Sequence, residues 1–419
     1  MTAKNPTAVT DPLQRQARHP VLVGLVVFLF FAWGFSTVLI DTLIPKLRSL
    51  FELSYAEAML TQFAFFLGYL VFSVPAGMLL ARIGYLRAII TGLVTMCVGC
   101  LLFAPAASMG VYEGFLFALF VMAAGITILQ VAANPLVAAL GSIATSHSRL
   151  TLAQAFNSLG TTVGPFFGAA LILGASLPDG PVSEQLRLAE AHTLHKPFVL
   201  IAGVLFILAL VFWFMRRAPA PDTSGKSPNL AGAMRLLGRP RLGFGALSIF
   251  LYVGAEVSIG SVMTNYLMQP TVLSVTGDVA ARILSLYWGG AMVGRFIGSF
   301  VLSRVTPGRV LMSCATGAAL LAVISSASIG TTAAVAVVAI GLMNSIMFPT
   351  IFTLALEGLG DDMPKGSGLL CMAIVGGAII PVITGGVADA TSLATALLVP
   401  AVCYVWIAVY GAQERRWKA

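Results

Sequence analysis

The sequence predicts an all-α membrane protein with twelve transmembrane helices arranged as two repeated halves of six. Of its 419 residues, 58% are hydrophobic and only 10% are charged, and the mean hydropathy is +0.95. A soluble domain carries about a quarter charged residues, so this chain lacks the side chains to cover a water-facing surface. Its apolar residues instead fall in runs of roughly 20 or more, the length that crosses a bilayer.

Twelve apolar runs define the predicted spans, numbered 1 to 12 along the chain. Their approximate ranges are 21–49, 56–81, 85–105, 111–141, 150–175, 197–216, 241–268, 279–303, 308–327, 331–357, 364–388 and 390–411. Two connections are long, and the one at the midpoint is rich in Pro, Ser, Gly and basic residues. The predicted organisation is an N-terminal tail (1–20), an N-terminal six-helix bundle (21–216), a linker (217–240), a C-terminal six-helix bundle (241–411) and a C-terminal tail (412–419).

The two halves repeat one another. Pro135 in span 4 corresponds to Pro349 in span 10 at an offset of 214 residues. Pro165 in span 5 corresponds to Pro381 in span 11 at an offset of 216. A nearly constant offset predicts duplicated halves of parallel orientation, and transporters built this way bind their substrate between the halves near the bilayer midplane.

The placement of Lys and Arg predicts the orientation. With both termini in the cytoplasm, the inner segments hold 18 Lys and Arg residues and the outer loops hold four. This bias follows the positive-inside rule and indicates a multi-pass membrane protein with both termini in the cytoplasm. The expected location is a bacterial inner membrane. The net charge of +8 is therefore attributed to the basic cytoplasmic segments that orient the protein in the membrane, and not to a nucleic-acid-binding surface.

Polar side chains inside spans are costly in lipid, so they are the first candidates for function. The predicted substrate-binding residues are Trp33, Asp41, Gln130, Asn134, Gln154, Asn157, Glu256 and Asn344. Most are amides, which both donate and accept hydrogen bonds and therefore suit the hydroxyl groups of a sugar. Aromatic rings such as Trp33 could stack on the apolar face of a sugar ring or gate the site.

Asp41 is the predicted coupling residue. A carboxylate inside a span that has no partner is inclined to take up a proton, and Asp41 could load and release one. The alternative is a residue at the outer headgroup level that is satisfied by Lys46 or solvent. Glu256 lies 215 residues further on, close to the repeat period. Coupling, substrate contact and a buried interhelix hydrogen bond all remain open for it, with coupling the less favoured.

Small residues recur every four positions in span 8, at Gly290, Gly294 and Gly298. This spacing predicts a face for close packing of a neighbouring helix. Arg295 is expected to snorkel or pair toward the cytoplasmic side. His192-x-x-His195 resembles half a metal site but has no partner residues nearby, so no metal site and no cofactor are predicted.

Several segments carry a resemblance to a known family. The segment from Gly77 through Arg82 and Gly84 to Arg87 resembles the glycine/arginine loop signature of the major facilitator superfamily, with Ala81 in place of its usual acidic residue. Further segments resemble its fucose and glucose/galactose permease branch: Ala132-Ala-Asn-Pro135, the stretch from Ala153 to Gly160, Tyr252-Val-Gly-Ala-Glu-Val257, Tyr287-Trp-Gly-Gly290, the stretch from Gly294 to Gly298, and Asn344-Ser-Ile-Met-Phe-Pro349.

The resemblance implies two six-helix bundles that rock about a central sugar site, with gating or packing roles for Gly77, Arg82, Gly84, Gly294, Arg295 and Gly298. It also implies a titratable carboxylate in span 1, which matches Asp41, and a glutamate before the Ala-Ala-Asn-Pro segment. That second position is Gln130, which cannot titrate. Either Asp41 alone carries the proton, or coupling uses sodium, or transport is uncoupled.

The function expected from the sequence is import of a hexose or deoxyhexose by cation-coupled alternating access. The expected partners are the sugar and membrane lipid, and a monomer is the expected unit. A proton-driven exporter of drugs or metabolites on the same fold is the nearest alternative, and a sugar sensor that does not transport is the second. An enzyme is not expected, because no paired carboxylates, Ser/His pair or metal constellation share a face.

Overall fold

The computed structural model describes residues 20–51, 55–109, 111–168, 195–218 and 230–414, without the side chains of 20, 39–50, 55–59, 165–168 and 195–196. Within these ranges the chain folds into long helices, as predicted. Spans 1 to 6 are Pro20–Phe51, Tyr55–Ile83, Tyr85–Met109, Tyr112–Ala139, Ser146–Gly168 and His195–Phe214. Spans 7 to 9 are Pro240–Met268, Gly277–Leu302 and Pro307–Ala327. The short helix Leu230–Arg235 precedes span 7.

The last three spans are broken helices, where the hydropathy pattern alone suggested continuous ones. Span 10 consists of Gly330–Asn344 and Met347–Leu356, and span 11 of Met363–Met372 and Gly376–Ala390 joined by a 3₁₀ turn. Span 12 consists of Leu393–Ala396 and Leu398–Ala412. Broken helices are tolerated at membrane depth where other protein groups satisfy the freed backbone.

Ten of the described spans are long and apolar enough to cross a membrane by composition. Spans 5 and 8 are outside this group because they carry more polar and charged residues. Span 5 begins Ser-His-Ser-Arg, and span 8 contains Asp278, Arg282 and Arg295. These two spans pack against each other between the halves.

Within each half, glycines allow helices to approach closely. In the N-terminal half, Gly99 faces the backbone of Met122, so a Cβ at residue 99 would lie 2.6 Å from the Met122 nitrogen. In the C-terminal half, a Cβ at Gly341 would collide with the Tyr287 carbonyl oxygen. These contacts fix span 3 on span 4 and span 8 on span 10, in the way that small residues pack membrane helices.

The halves meet at one end of the bundle, here called the basic end, which carries Arg82, Arg87, Arg149, Arg241 and Arg304. Span 5 packs on span 8 there, where Ser148 donates a hydrogen bond of 2.7 Å to the Ser299 carbonyl and Ser299 donates one of 2.9 Å to the Ser148 carbonyl. Span 2 packs on span 11, where a Cβ at Gly77 would lie 2.6 Å from the Pro364 carbonyl oxygen. The basic end is therefore closed.

Candidate functional site

The amides predicted in spans 4 and 5 come together in the N-terminal half. Gln154 donates a hydrogen bond of 3.2 Å from Nε2 to Asn134 Oδ1. Asn157 donates one of 3.0 Å from Nδ2 to the Phe30 carbonyl in span 1. Asn134 is fully buried, Gln130 and Gln154 are nearly so, and Asn157 is half-buried.

Two of these amide atoms have no hydrogen-bond partner among the described residues. They are Gln130 Oε1, an acceptor, and Asn134 Nδ2, a donor. The two residues lie one helical turn apart in span 4, on the same face. Since a buried polar atom without a partner is costly, this face is a candidate site for a ligand with hydroxyl groups, which both donate and accept.

Of the two candidates in span 1, the structure describes the side chain of Trp33 but not that of Asp41. Asp41 lies within the helix Pro20–Phe51, but its side chain lies outside the described part. Trp33 is only 4% exposed and packs against Phe30, with ring centroids 5.3 Å apart. The indole therefore lies within the packed core of the N-terminal half. Phe31 and Phe35 are half-buried rings of the same span.

In the C-terminal half, Glu256 and Asn344 belong to a cluster with two tyrosines. Tyr252 donates a hydrogen bond of 2.7 Å to Glu256 Oε1. Asn344 donates one of 2.8 Å from Nδ2 to the Tyr287 hydroxyl, and Asn344 Oδ1 has no partner among the described residues. Sequence reasoning gave Tyr252 no site role, although its spacing of four residues before Glu256 could have indicated it.

Arg295 joins the two halves. It donates from Nε to the Ser345 carbonyl in span 10, at 3.1 Å, and from Nη1 to the Ser158 hydroxyl in span 5. Ser345 is four residues before Pro349, which has no N–H to donate to that carbonyl. The guanidinium is thus held at the break in span 10 by hydrogen bonds and does not extend to the basic end.

The small residues predicted for packing lie where elements approach closely. A Cβ at Gly294 would lie 2.6 Å from Ser345, and one at Gly298 would collide with Ile346. Span 8 therefore packs directly on the break in span 10. Gly84 has a φ of +80°, a conformation that favours glycine, in the turn between spans 2 and 3. Arg82 is exposed at the basic end.

A second polar cluster, here called the gate cluster, lies between the halves at the basic end and consists of His147, Arg241, Thr353 and Glu357. His147 Nε2 lies 2.9 Å from Glu357 Oε1, and its Nδ1 lies 2.5 Å from Thr353 Oγ1. Arg241 donates to Glu357 Oε2 and, at 2.6 Å, to the Leu354 carbonyl. Sequence reasoning missed this cluster, because His147 and Glu357 are 210 residues apart and neither lies in a motif.

The described residues contain no group of three or more His, Cys, Asp or Glu side chains that could hold a metal ion. The cysteines are free, and four of the five are buried in apolar surroundings. The chemistry that the amide and tyrosine clusters offer is hydrogen bonding, together with the carboxylate of Glu256 and the guanidinium of Arg295.

Comparison with known proteins gives consistent matches along the chain. The sequence profile of the Major Facilitator Superfamily matches residues 22–381. The chain is 50% identical over 400 residues to a glucose/galactose transporter of Brucella abortus biovar 1 (strain 9-941), covering 94% of each protein. It is 34% identical over 420 residues to the L-fucose-proton symporter of Escherichia coli (strain K12), covering 96% of this chain and 95% of the symporter.

Solved structures match equally well. The crystal structure of the transporter FucP in the outward conformation superposes with a TM-score of 0.86 at 33% identity, covering 94% of this chain and 99% of that one. A single-residue variant of the E. coli fucose:proton symporter FucP superposes with a TM-score of 0.85 at 32% identity, covering 94% of this chain and 98% of that one.

Proposed function

The chain belongs to the Major Facilitator Superfamily, and we propose that it is a secondary active transporter that imports a small sugar, a hexose or deoxyhexose, by cation-coupled alternating access. The family is one of transporters, and we expect no enzymatic activity. The relatives named above are a glucose/galactose transporter and a fucose-proton symporter, and both match nearly the full length of the chain.

The observation that carries the sugar assignment is the pair of unpartnered atoms in span 4. Gln130 Oε1 accepts and Asn134 Nδ2 donates, one helical turn apart. Of two neighbouring hydroxyls of a sugar ring, one can donate to Gln130 Oε1 and the other can accept from Asn134 Nδ2. Asn344 is a further polar side chain inside a span of the C-terminal half, which supports a sugar held by both halves.

Asp41 is the proposed coupling residue, with H⁺ as the first candidate ion and Na⁺ as the second. Gln130, an amide, supplies hydrogen bonds but no titratable group. Glu256 is fixed by Tyr252 in a same-helix hydrogen bond of 2.7 Å, which favours a structural or substrate-contact role. No organic cofactor is needed for this chemistry.

The proposed orientation places both termini and the basic end in the cytoplasm of a bacterium, in its inner membrane, following the positive-inside rule. With that orientation, closure of the basic end makes this an outward-facing state. The similarity to FucP in the outward conformation supports the same assignment. The proposed partners are the sugar and membrane lipid, and the proposed functional unit is a monomer.

Uptake into proteoliposomes tests the proposal. The purified chain is supplied with a panel of radiolabelled hexoses and deoxyhexoses, under an inward proton gradient, an inward sodium gradient, or neither. Accumulation of one sugar above its equilibrium level under one gradient is the expected result. Equal levels under all three conditions would mean uncoupled transport. No sugar-specific uptake, together with proton-driven extrusion of an amphiphilic compound, would replace the proposal with the exporter.

A further inference from the structure

Spans 5 and 8 contact each other along one line of side chains that leads away from the basic end. The hydrogen bonds on this line join Ser299 to Ser148, Arg295 to Ser158, and Met292 to Thr162. The last is a contact of 3.5 Å between the Thr162 hydroxyl and the Met292 sulfur. The three residues of span 8 are three or four positions apart, so they share one face of the helix.

Trp288 is the next residue on this face, one turn beyond Met292. It is 43% exposed, so among the described side chains the line of contact ends at Met292, and the two halves separate there. Trp288 also lies near the middle of the helix Gly277–Leu302. This position is near the bilayer midplane, where transporters with two repeated halves bind their substrate.

Trp288 does not belong to the lipid-facing side of span 8. That side carries exposed apolar residues at Leu286, Val293, Ile297 and Phe300. Leu286 is two positions before Trp288, and two positions turn an α-helix by about 200°, so the two side chains lie on nearly opposite sides. The exposed surface of Trp288 therefore faces the cleft between the halves.

The indole of Trp288 lies beside the polar cluster of the C-terminal half. A Cβ at Gly260 would lie 3.0 Å from Trp288 Cζ2, so the ring covers the backbone of span 7 one turn beyond Glu256. The preceding residue, Tyr287, is fully buried and accepts a hydrogen bond from Asn344. The Tyr287 and Trp288 rings meet edge to face, with centroids 5.0 Å apart. The indole is thus held in place at the edge of this cluster.

From this geometry we propose that Trp288 is a specificity-determining residue of the sugar site, and that its indole is the surface on which the apolar face of a pyranose ring stacks. The inference rests on the proposed sugar transport and adds a named contact to it. Trp33, the ring that the sequence suggested for stacking, is only 4% exposed and packs on Phe30. Its faces are therefore covered by protein.

The chemistry of a pyranose matches this arrangement. Its hydroxyls lie around the rim of the ring, where Gln130 Oε1 and Asn134 Nδ2 of the N-terminal half can bind them. Its faces carry C–H bonds, which are apolar and are attracted to the negative face of an aromatic ring. An open-chain polyol has the same hydroxyls but no rigid apolar face. The indole therefore selects a closed sugar ring over an open-chain polyol.

Cysteine accessibility tests the position of residue 288 without a transport assay. A membrane-impermeant thiosulfonate is applied to the reconstituted full chain at the end opposite the basic end. Thiols react as thiolates, whose formation apolar surroundings oppose, so Trp288→Cys should react well above the background of the protein with its five native cysteines. Leu286→Cys is the matched control, because Leu286 is 64% exposed on the lipid-facing side, and it should react only at background.

Ser285→Cys provides a second variant that leaves the indole in place. Ser285 is exposed and lies on the same face of span 8, about one turn further from Met292. It should also react above background, so the position of this face is measured even if Trp288→Cys does not fold. Background rates at both 285 and 288 would place this face outside the aqueous cleft and overturn the inference.

Sugar kinetics test the stacking itself. Trp288→Ala should raise the KM of the transported pyranose about three- to tenfold, while the maximal rate of sugar exchange stays close to that of the unaltered protein. Trp288→Phe keeps an aromatic face and should restore most of the affinity. Trp213→Ala is the matched control with an unchanged KM, because Trp213 is also exposed, by 48%, and lies under Arg216 at the end of span 6.

Competition by an open-chain alditol separates stacking from a general loss of fit. The alditol with the configuration of the transported sugar should inhibit uptake at the same half-inhibitory concentration in Trp288→Ala and in the unaltered protein. The half-inhibitory concentration of the unlabelled pyranose should rise by the same factor as its KM. A parallel rise for both compounds, or an unchanged KM in Trp288→Ala, would overturn the inference.

The inference and the proposed function fail in different ways. If the unaltered protein takes up sugar and Trp288→Ala has the same KM, the stacking role is rejected and the transport proposal stands. If the unaltered protein takes up no sugar, the proposed function is rejected, and the stacking role is rejected with it whatever the labelling shows.

Discussion

Ser367 of the C-terminal half donates a hydrogen bond of 2.7 Å to the carbonyl of Val131 in the N-terminal half. Val131 is four residues before Pro135, so its carbonyl lacks the N–H that would normally bind it within the helix. The repeat places the same relationship in span 10, where Pro349 leaves the Ser345 carbonyl free for Arg295. Each proline thus exposes one carbonyl to a donor outside its helix, and both donors take part in contacts between the halves.

Ser367→Ala should shift the protein toward opening at the basic end. The variant loses a bond that exists only in the closed state and leaves a buried carbonyl without a donor, which costs about 1 kcal/mol. Thr151 is fully buried in span 5 and faces Gly298 of span 8, so labelling of Thr151→Cys by a membrane-impermeant maleimide applied to the basic end should rise about fivefold. Ser303→Ala is the control, because the Ser303 hydroxyl bonds within its own helix at an exposed position. Unchanged labelling in Ser367→Ala would mean that this bond does not stabilise closure.

Asp41→Asn should abolish accumulation of sugar against its gradient while exchange of preloaded sugar continues. The amide keeps the shape of the carboxyl but cannot bind and release a proton. Counterflow and gradient-driven uptake measured in the same proteoliposomes separate the two activities. If the variant still concentrates sugar, Asp41 has no role in coupling.

Gln130→Glu should steepen the pH dependence of uptake. The new carboxyl would be nearly fully buried beside Asn134, and unlike the amide it can bind and release a proton. Uptake measured from about pH 5 to 8 checks this. A response identical to the wild type would weaken the comparison with proton-coupled permeases.

Asn157→Ala should raise the KM for sugar and also lower thermal stability. The side chain donates to the Phe30 carbonyl at 3.0 Å, so the variant loses an interhelix bond of about 1 kcal/mol as well as a sugar contact. Asn157→Ser keeps a shorter hydrogen-bond donor, and comparing the two variants separates the effect on thermal stability from the effect on the KM for sugar. A change in melting temperature with unaltered kinetics in both variants would assign Asn157 to the structure alone.

Glu357→Gln should lower thermal stability near pH 7 by an amount that disappears in acid. The pKa of Glu357 is held below its usual value by His147 and Arg241, so its ionised form stabilises the folded state above that usual value. The stabilisation is lost as the pH falls through the lowered pKa. Melting temperatures of both proteins from about pH 3.5 to 7.5 should converge at the acid end. A constant difference would mean that the contribution of Glu357 is not electrostatic.

The sequence was sufficient for much of the fold. Apart from the end of span 5, where the described part of the chain stops at Gly168, the ends of the described helices lie within four residues of the predicted ones. The reason is that a helix in lipid must satisfy its own backbone and its apolar length is set by the bilayer. Pro135 and Pro349 were recognisable in the sequence as matching positions of the two halves. The sequence alone did not show which of the two prolines would lie in an interrupted helix. In the structure, span 4 continues through Pro135, whereas the first helix of span 10 stops at Asn344.

The candidate site was predicted in part. The amides of spans 4 and 5 were identified because polar residues are rare in spans, and the structure brings Gln154 and Asn134 into contact. The inward packing of Trp33 and the position of Arg295 between Ser345 and Ser158 depend on neighbours from other spans. Hydropathy and spacing carry no information about such neighbours.

The sequence by itself determined that the chain is a membrane protein with twelve spans in two repeated halves. Its apolar composition requires a lipid environment, and its repeated pattern implies two halves of similar fold. Only the tertiary structure decided which end is closed and that His147 lies between Thr353 and Glu357. The two halves have almost the same pattern, and nothing within either half specifies how it docks on the other. That docking depends on contacts such as His147 with Glu357, 210 positions apart, and Ser367 with Val131, 236 positions apart.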